Sequence, residues 1–264
     1  MTDRQDTVPY GHAPPGTRVY AVGDIHGQMP LLEELHGEIR RDAEARPVNR
    51  AVVVYLGDYV DRGSRSRDVI ELLATGGATL FGDGFETVYL AGNHEDMMLT
   101  ALADDDVGSG QTAGMMMAWL QNGGRDTLSS YGIPVDMSLP FGAMADRIRA
   151  ALDQAMPDHH RDFLNALKPY HLEGGYLFVH AGIRPGVALE SQSRQDLYWI
   201  RQEFLDDRTA HPWVVVHGHT PVRQPQLLTN RIGIDTGAFA TGRLTCAALE
   251  DGDRRLLVVS GRPI

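Results

Sequence analysis

The chain has 264 residues, 42% of them hydrophobic and 22% charged, which suits one large globular domain able to bury a sizeable core. With 35 acidic against 24 basic residues the net charge is −11, which argues against a general nucleic-acid or membrane-surface binder, since both partners select basic faces. One cysteine, Cys246, excludes an intrachain disulfide, and no run is long and apolar enough to act as a signal peptide or span a bilayer, so the cytoplasm is the expected compartment.

Residues 1–16, polar with Pro and Gly, read as a loose arm in which His12 is solvated. A β-rich run at 18–22 ends in Gly23-Asp24-Ile25-His26-Gly27, where a carboxylate and an imidazole two residues apart can point at one ion. A helix is expected over 30–45, with Pro30 in its first turn and Leu31, Leu32, Leu35 and Ile39 as its buried stripe. The apolar run 51–56 reads as a buried strand. It ends in Gly57-Asp58-Tyr59-Val60-Asp61-Arg62-Gly63, which brings two carboxylates and a guanidinium to one strand end. A helix over 67–75 and a strand over 87–91 follow, the latter closed by Gly92-Asn93-His94-Glu95 at a helix start. Such a β-α-β-α-β run predicts a parallel sheet with right-handed crossovers.

Residues from about 102 to 171 lack strand-like runs and contain helical pieces at 113–121, 126–131, 141–156 and 158–167. They read as a helical insertion over the site. Within it, Met115-Met116-Met117 fits helix core with one side chain exposed, and Asp104-Asp105-Asp106 fits a solvated turn. Strand character returns at 175–179, ending in His180-Ala181-Gly182. A helix is expected over 195–205, and a strand at 213–216 ends in His217-Gly218-His219-Thr220. Runs at 231–236, 243–249 and 254–259 read as short strands paired antiparallel, with the Cys246 thiol buried as structure rather than as a nucleophile.

Asp24 with His26, Asp58, Asn93, His180 and His219 each follow an apolar strand-like run. In an open α/β sheet the C-terminal strand ends gather on one edge, so these distant residues would converge. A lone histidine after a strand is commonly structural and Gly-Asn commonly a turn, but those readings do not explain a metal-ligand type at every strand end. Carboxylate, amide oxygen and imidazole without thiolate suit manganese, iron or zinc.

In order and spacing, Gly23-Asp24-Ile25-His26-Gly27, Gly57-Asp58-Tyr59-Val60-Asp61-Arg62-Gly63 and Gly92-Asn93-His94-Glu95, followed by His180-Ala181-Gly182 and Gly218-His219-Thr220, resemble the signature of the phosphoprotein-phosphatase-type, calcineurin-like metallophosphoesterases. The resemblance spans roughly residues 18–259 and is greatest to the bacterial serine/threonine protein phosphatases. It implies an α/β (mixed α+β) fold, a β-sandwich of two mixed sheets flanked by helices, as a single domain over 1–264 with the insertion above the site. It further implies two divalent ions, manganese first with iron or zinc as alternatives. Asp24 and His26 would hold one ion, Asn93, His180 and His219 the other, and Asp58 both, while His217 would be structural or behind the ligands. The shared water would become a hydroxide that attacks phosphorus in line, with no phospho-enzyme. His94 would be the general acid, kept charged by Asp61; Arg62, Arg201 and Asn93 would bind the phosphate. The expected substrate is a protein or peptide phosphorylated on serine or threonine, or on tyrosine. The alternatives are a dinucleoside polyphosphate hydrolase and, from another class, a silent phosphoprotein-binding scaffold. Oligomeric state and native metal are open.

Overall fold

The structure, a computed structural model, describes residues 10–103 and 110–264. Three parallel strands, β1 (Thr17–Val22), β2 (Arg50–Tyr55) and β3 (Phe85–Tyr89), alternate with helices α1 (Met29–Ala45) and α2 (Ser66–Gly76). This is the expected β-α-β-α-β unit. Strand β4 (Tyr170–Glu173) pairs antiparallel with β5 (Tyr176–Val179), and β5 pairs parallel with β6 (Val214–His217). The chain then forms β7 (Gln226–Leu227), β8 (Arg231–Gly233), β9 (Arg243–Glu250) and β10 (Asp253–Ser260). One sheet runs β10-β9-β1-β2-β3 and the other β4-β5-β6-β8-β7.

Both faces of the first sheet are covered, which is why its inner strands read as unbroken apolar runs rather than as alternation. Along β1 and β2, Val19, Ala21, Val52 and Val54 face Phe178, Val214, Val216 and Ile232 of the second sheet, forming the sandwich core. The intervening Tyr20, Val22, Val53 and Tyr55 pack outward against Leu32, Leu35 and Ile39 of α1 and Val69 and Ile70 of α2. Period-2 alternation thus divides each strand between two cores. Cys246 lies fully buried in β9, and burial pushes its thiol upward, as expected of an inert structural cysteine.

Between β3 and β4 come α3 (Asn93–Leu102), α4 (Gly110–Trp119), a π-turn (Leu120–Gly124), α5 (Arg125–Ser130), α6 (Phe141–Ala155) and α7 (Asp158–Asn165), of which α4 and α5 reach the β2 loop at Asp61 and α7 meets α2. Met116 is buried and Met117 exposed, in line with a core reading of the Met run. Asp104-Asp105-Asp106 and residues 1–9 lie outside the described residues. Among the described residues no helix is long and apolar enough to cross a membrane.

Four expectations need correction. Residues 10–16 are docked rather than loose: the Ala13 amide donates to Asp251 O (2.8 Å), the His12 carbonyl accepts from Gly175 N (2.8 Å), and Ala13 is buried. Strand β4 begins at Tyr170, inside the stretch read as helical insertion. Strand β8 does not join the antiparallel pair β9-β10; it lies parallel to β6 in the other sheet, because the sandwich recruits its apolar Ile232. The helix expected over 195–205 is two helices, α8 (Arg194–Trp199) and α9 (Gln202–Leu205), broken at Ile200 and Arg201.

Candidate metal centre

The strand ends of both sheets meet along one edge. Asp24 and His26 follow β1, Asp58 follows β2, Asn93 opens α3 after β3, His180 follows β5, and His219 lies two residues beyond β6. All six are buried. Among the described residues six non-glycine residues have left-handed φ, and five of them are His26, Asp58, Asp61, Arg62 and His219. Backbone strain of this kind costs about 1–3 kcal/mol per residue and persists only where the surroundings enforce it. Here Glu95 does much of the enforcing. Its carboxylate accepts the amides of Asp58 (2.9 Å), Tyr59 (2.8 Å), Val60 (3.2 Å) and Gly92 (3.0 Å), fastening the β2 loop to the start of α3. Burial and the Asp58 charge push the Glu95 carboxyl up to about 7 despite these donors.

The histidines are oriented from behind. His26 Nδ1 lies 2.9 Å from the Val60 carbonyl and His180 Nδ1 2.8 Å from that of Leu56, so each ring donates there and turns a bare Nε2 inward. His26 Nε2 then stands 3.4 Å from Asp58 Oδ2, and His180 Nε2 3.0 Å from Asn93 Oδ1 and 3.4 Å from Asp58 Oδ1. Burial holds both rings neutral, that of His26 at about 3, so these are acceptors facing acceptors. His219 Nδ1 lies 2.8 Å from the same Asn93 oxygen, and its Nε2 is buried without a partner. The His219 ring, with one nitrogen unpartnered, and the His180 nitrogen facing oxygens leave lone pairs for a cation, and the mix of imidazole, carboxylate and amide oxygen suits a divalent ion.

At the strand ends, ligand-type atoms within 4.8 Å of one another form two groups, His26–Asp58–His94 and Asp58–His180–His219, with Asp58 in both. Asn93 joins the second through its oxygen. Asp24 abuts both His219, whose amide donates to it at 3.0 Å, and Gly218, where a Cβ would sit 2.0 Å from its Oδ1. Burial raises the Asp24 carboxyl well above the usual range, helped by Asp235 and Asp58. Burial likewise raises Asp235, to about 6. For Asp58, burial is outweighed by His180, His94, His26 and His219, and the net direction is down. Asp24 and Asp235 thus resist giving up their protons beside Asp58, a penalty that a bound cation would relieve. Of the residues expected to bind metal, Asp24 is in neither group, and neither is His217, whose nitrogens meet the Gly218 carbonyl (3.1 Å) and Arg231 (3.3 Å).

Beside this cluster His94 Nδ1 pairs with Asp61 Oδ2 at 2.7 Å, both side chains almost wholly buried. The Asp61 carboxylate also accepts from Trp119 Nε1 (3.0 and 3.1 Å) and Thr127 Oγ1 (2.5 Å), and its amide donates to Ser66 Oγ (3.0 Å). Burial disfavours the imidazolium, but the Asp58 charge and the Asp61 hydrogen bond outweigh it, and the His94 pKa is raised. Arg62 NH1 donates to His26 Nε2 (3.0 Å), and the guanidinium lies over the Phe239 ring, 4.6 Å from its centroid. Its backbone approaches Gly123 so closely that a Cβ there would lie 2.7 Å from Arg62 N, which explains the glycine in the π-turn. Arg201, in the break between α8 and α9, donates to Thr220 Oγ1 (3.2 Å), and its charge is felt at His180, His219 and Asp235.

Five contributors were not singled out from sequence. Glu95 ends the Gly-Asn-His-Glu run at the third helical position, and Asp235 follows the apolar run Ile232-Gly233-Ile234, so both carried a readable signal. Trp119, Thr127 and Phe239 carried none, since nothing local distinguishes them from packing residues.

The sequence profile of the calcineurin-like phosphoesterases matches residues 17–250. Serine/threonine-protein phosphatase 1 of Salmonella typhimurium is 29% identical over 240 residues, covering 88% of this chain and 92% of that protein. A bis(5'-nucleosyl)-tetraphosphatase PrpE of Halalkalibacterium halodurans is 24% identical over 245 residues, covering 85% and 87%. The crystal structure of a candidate diadenosine tetraphosphatase shares the fold at a TM-score of 0.56 with 22% identity, over 95% of this chain and 99% of that one. The chain belongs to the calcineurin-like phosphoesterases and is a hydrolase of that family.

Proposed function

We propose that this metallophosphoesterase is a protein phosphatase acting on phosphoserine and phosphothreonine. The observation that carries the reading is the buried Asp61–His94 pair beside the ligand cluster. An aliphatic alkoxide is a strongly basic leaving group and needs a proton as the P–O bond breaks, whereas a nucleotide phosphate or a phenolate leaves with little help. A histidine kept charged by a carboxylate suits the first case. The 29% identity to the Salmonella serine/threonine-protein phosphatase, over nearly its whole length, supports the same choice.

In this reading Asp24 and His26 would hold one divalent ion, Asn93, His180 and His219 a second, and Asp58 both, with manganese the first to try. Two such ions supply charge neutralisation of the phosphoryl oxygens and activation of water near neutral pH. The chain's own residues do the remainder. Arg62 and Arg201 flank the cluster from opposite halves of the chain and would clamp the phosphate through their fork of donors. Arg62, now bonded to His26 Nε2, would exchange that nitrogen for phosphate oxygen when the ring binds metal. His94 would deliver its proton to the leaving oxygen while Asp61 holds its Nδ1–H. Asn93 would fix the phosphate's position as well as bind metal. The proposed setting is the cytoplasm, on the reduced cysteine.

A second reading, hydrolysis of dinucleoside tetraphosphates, is favoured by the several relatives named bis(5'-nucleosyl)-tetraphosphatases, 22–25% identical to this chain. Turnover with manganese should be compared on phosphoserine and phosphothreonine peptides, an aryl phosphate and diadenosine tetraphosphate, with Asp58→Asn as control. Peptide turnover well above that of the dinucleotide, and lost in the control, is expected. Turnover of the dinucleotide alone would replace the substrate assignment. No turnover from metal-loaded protein would favour a phosphoprotein-binding scaffold.

A further inference from the structure

Away from the strand ends, a second set of ligand-type side chains meets where the helical cap rests on α2. Glu71 lies on α2, and His159 and His160 sit side by side in the first turn of α7. Both Nε2 atoms reach the same Glu71 oxygen, Oε2, at 3.0 Å from His159 and 2.8 Å from His160. The imidazoles pack edge to face with centroids 4.5 Å apart. His160 is fully buried, with its Nδ1 2.8 Å from the Tyr131 hydroxyl, while Glu71 and His159 are about half exposed (48% and 47%).

Two histidines donating to one carboxylate account for the distances with no ion present. The same convergence of both rings on one oxygen is what a shared cation needs. Neighbouring residues on a helix point about 100° apart, so bringing both rings to one point requires both to turn toward it. The buried ring is fixed from behind by a hydroxyl, a group that can donate or accept. When His160 Nδ1–H donates to Tyr131, its Nε2 presents a lone pair at the Glu71 oxygen, the arrangement of a histidine ligand oriented by its rear nitrogen. The hydroxyl serves either tautomer, so an ion can enter without leaving a buried group unpaired. The spacing also fits. Ligands about 2.0–2.1 Å from a tetrahedral zinc stand about 3.3 Å from one another, so each histidine nitrogen would draw only a few tenths of an ångström away from the Glu71 oxygen.

We propose that Glu71, His159 and His160 form a separate metal site for one borderline divalent cation of the zinc class. Three protein ligands bind the ion and the exposed side is left for water. Two imidazoles and a single carboxylate select against magnesium or calcium, which take oxygen ligands. The position gives the site a role. Helix α2 begins at Ser66, whose hydroxyl accepts the Asp61 amide, while Tyr131 directly follows α5, which supplies Thr127 to the Asp61 carboxylate. An ion bound here pins the cap to α2 at the far end of the frame that holds Asp61.

The test is equilibrium dialysis of the 264-residue chain against low-micromolar zinc, counting bound zinc per chain in wild type, His159→Ala and Glu71→Gln. Both variants change half-exposed side chains outside the strand-end cluster, and either serves if the other folds poorly. Wild type is expected to hold one zinc more than each variant, with affinity at Glu71–His159–His160 falling on the order of 10-fold or more when a ligand is lost. Zinc should raise the melting temperature of wild type more than that of the variants, and turnover with saturating manganese should be unchanged among them. Equal zinc counts in wild type and variants overturn the proposal, whatever the activity of the strand-end site.

Discussion

The strand ends and the helical cap serve the same site by different means. The strand ends gather ligand atoms: His26, Asp58, Asn93, His180 and His219 bring nitrogens and oxygens together at distances that a shared cation could bridge. The cap delivers donors: Trp119 and Thr127 give hydrogen bonds to Asp61. The proposed ligands are therefore fixed by sheet topology, whereas support for the proposed acid pair can come from any element that reaches it. The comparison predicts a graded response, steep at the strand ends and shallow in the cap.

The largest effect belongs to Asp58, which both ligand groups share. Asp58→Asn should lower turnover on the order of 10³-fold or more, since several kcal/mol of charge stabilisation go with it. Initial rates and metal content measured together check this, and a loss under tenfold would remove Asp58 from the centre of the site. Next is His94→Asn, expected to cost on the order of 10²–10⁴ in kcat on a phosphoserine peptide, with metal content unchanged and a smaller loss on an aryl phosphate. An equal loss on both substrates would refute the acid role.

The acid pair also sets a pH dependence. In the proposed mechanism the acid must be protonated, so the alkaline limb of kcat should follow the His94 pKa, which Asp61 helps to raise. Asp61→Asn removes that negative charge, the imidazolium loses its proton more readily, and the alkaline limb should move to lower pH; a pH–rate profile decides it.

In the cap, Trp119→Phe keeps the ring but removes its donor to Asp61, which should cost about tenfold in kcat, as for a hydrogen bond to a charged group. A loss as large as that of His94→Asn would erase the distinction between delivery and support. The smallest effect is expected from Phe239→Ala, which takes the aromatic face from Arg62. About 0.5–1 kcal/mol of cation–π attraction corresponds to a two- to fivefold rise in KM for an aryl phosphate with kcat little changed.

Much of the strand-end half was legible in the chain. Buried strands announced themselves as apolar runs, and the Asp, His and Asn after them were visible as ligand types because sheet topology gathers strand ends whatever the intervening sequence. The pairing of β8 was not legible, since three residues of strand carry no statement about which sheet will recruit them. Nor was the break at Arg201 between α8 and α9, where the backbone leaves helical geometry at φ −130° and ψ −98°.

By itself the sequence determined the β-α-β-α-β unit, the helix starts and the residue types at the strand ends, because periodicity and turn chemistry act over a few residues. Tertiary structure decided which nitrogen of each histidine faces inward, since carbonyls of distant residues such as Leu56 fix the rings from behind. It decided that Glu95 would tie four amides together, and that His217 would turn away while His219 turned in. It alone brought Trp119 and Thr127 onto Asp61 from 58 and 66 residues away. Contacts at that separation follow from how helices pack over a sheet, and no local pattern encodes them.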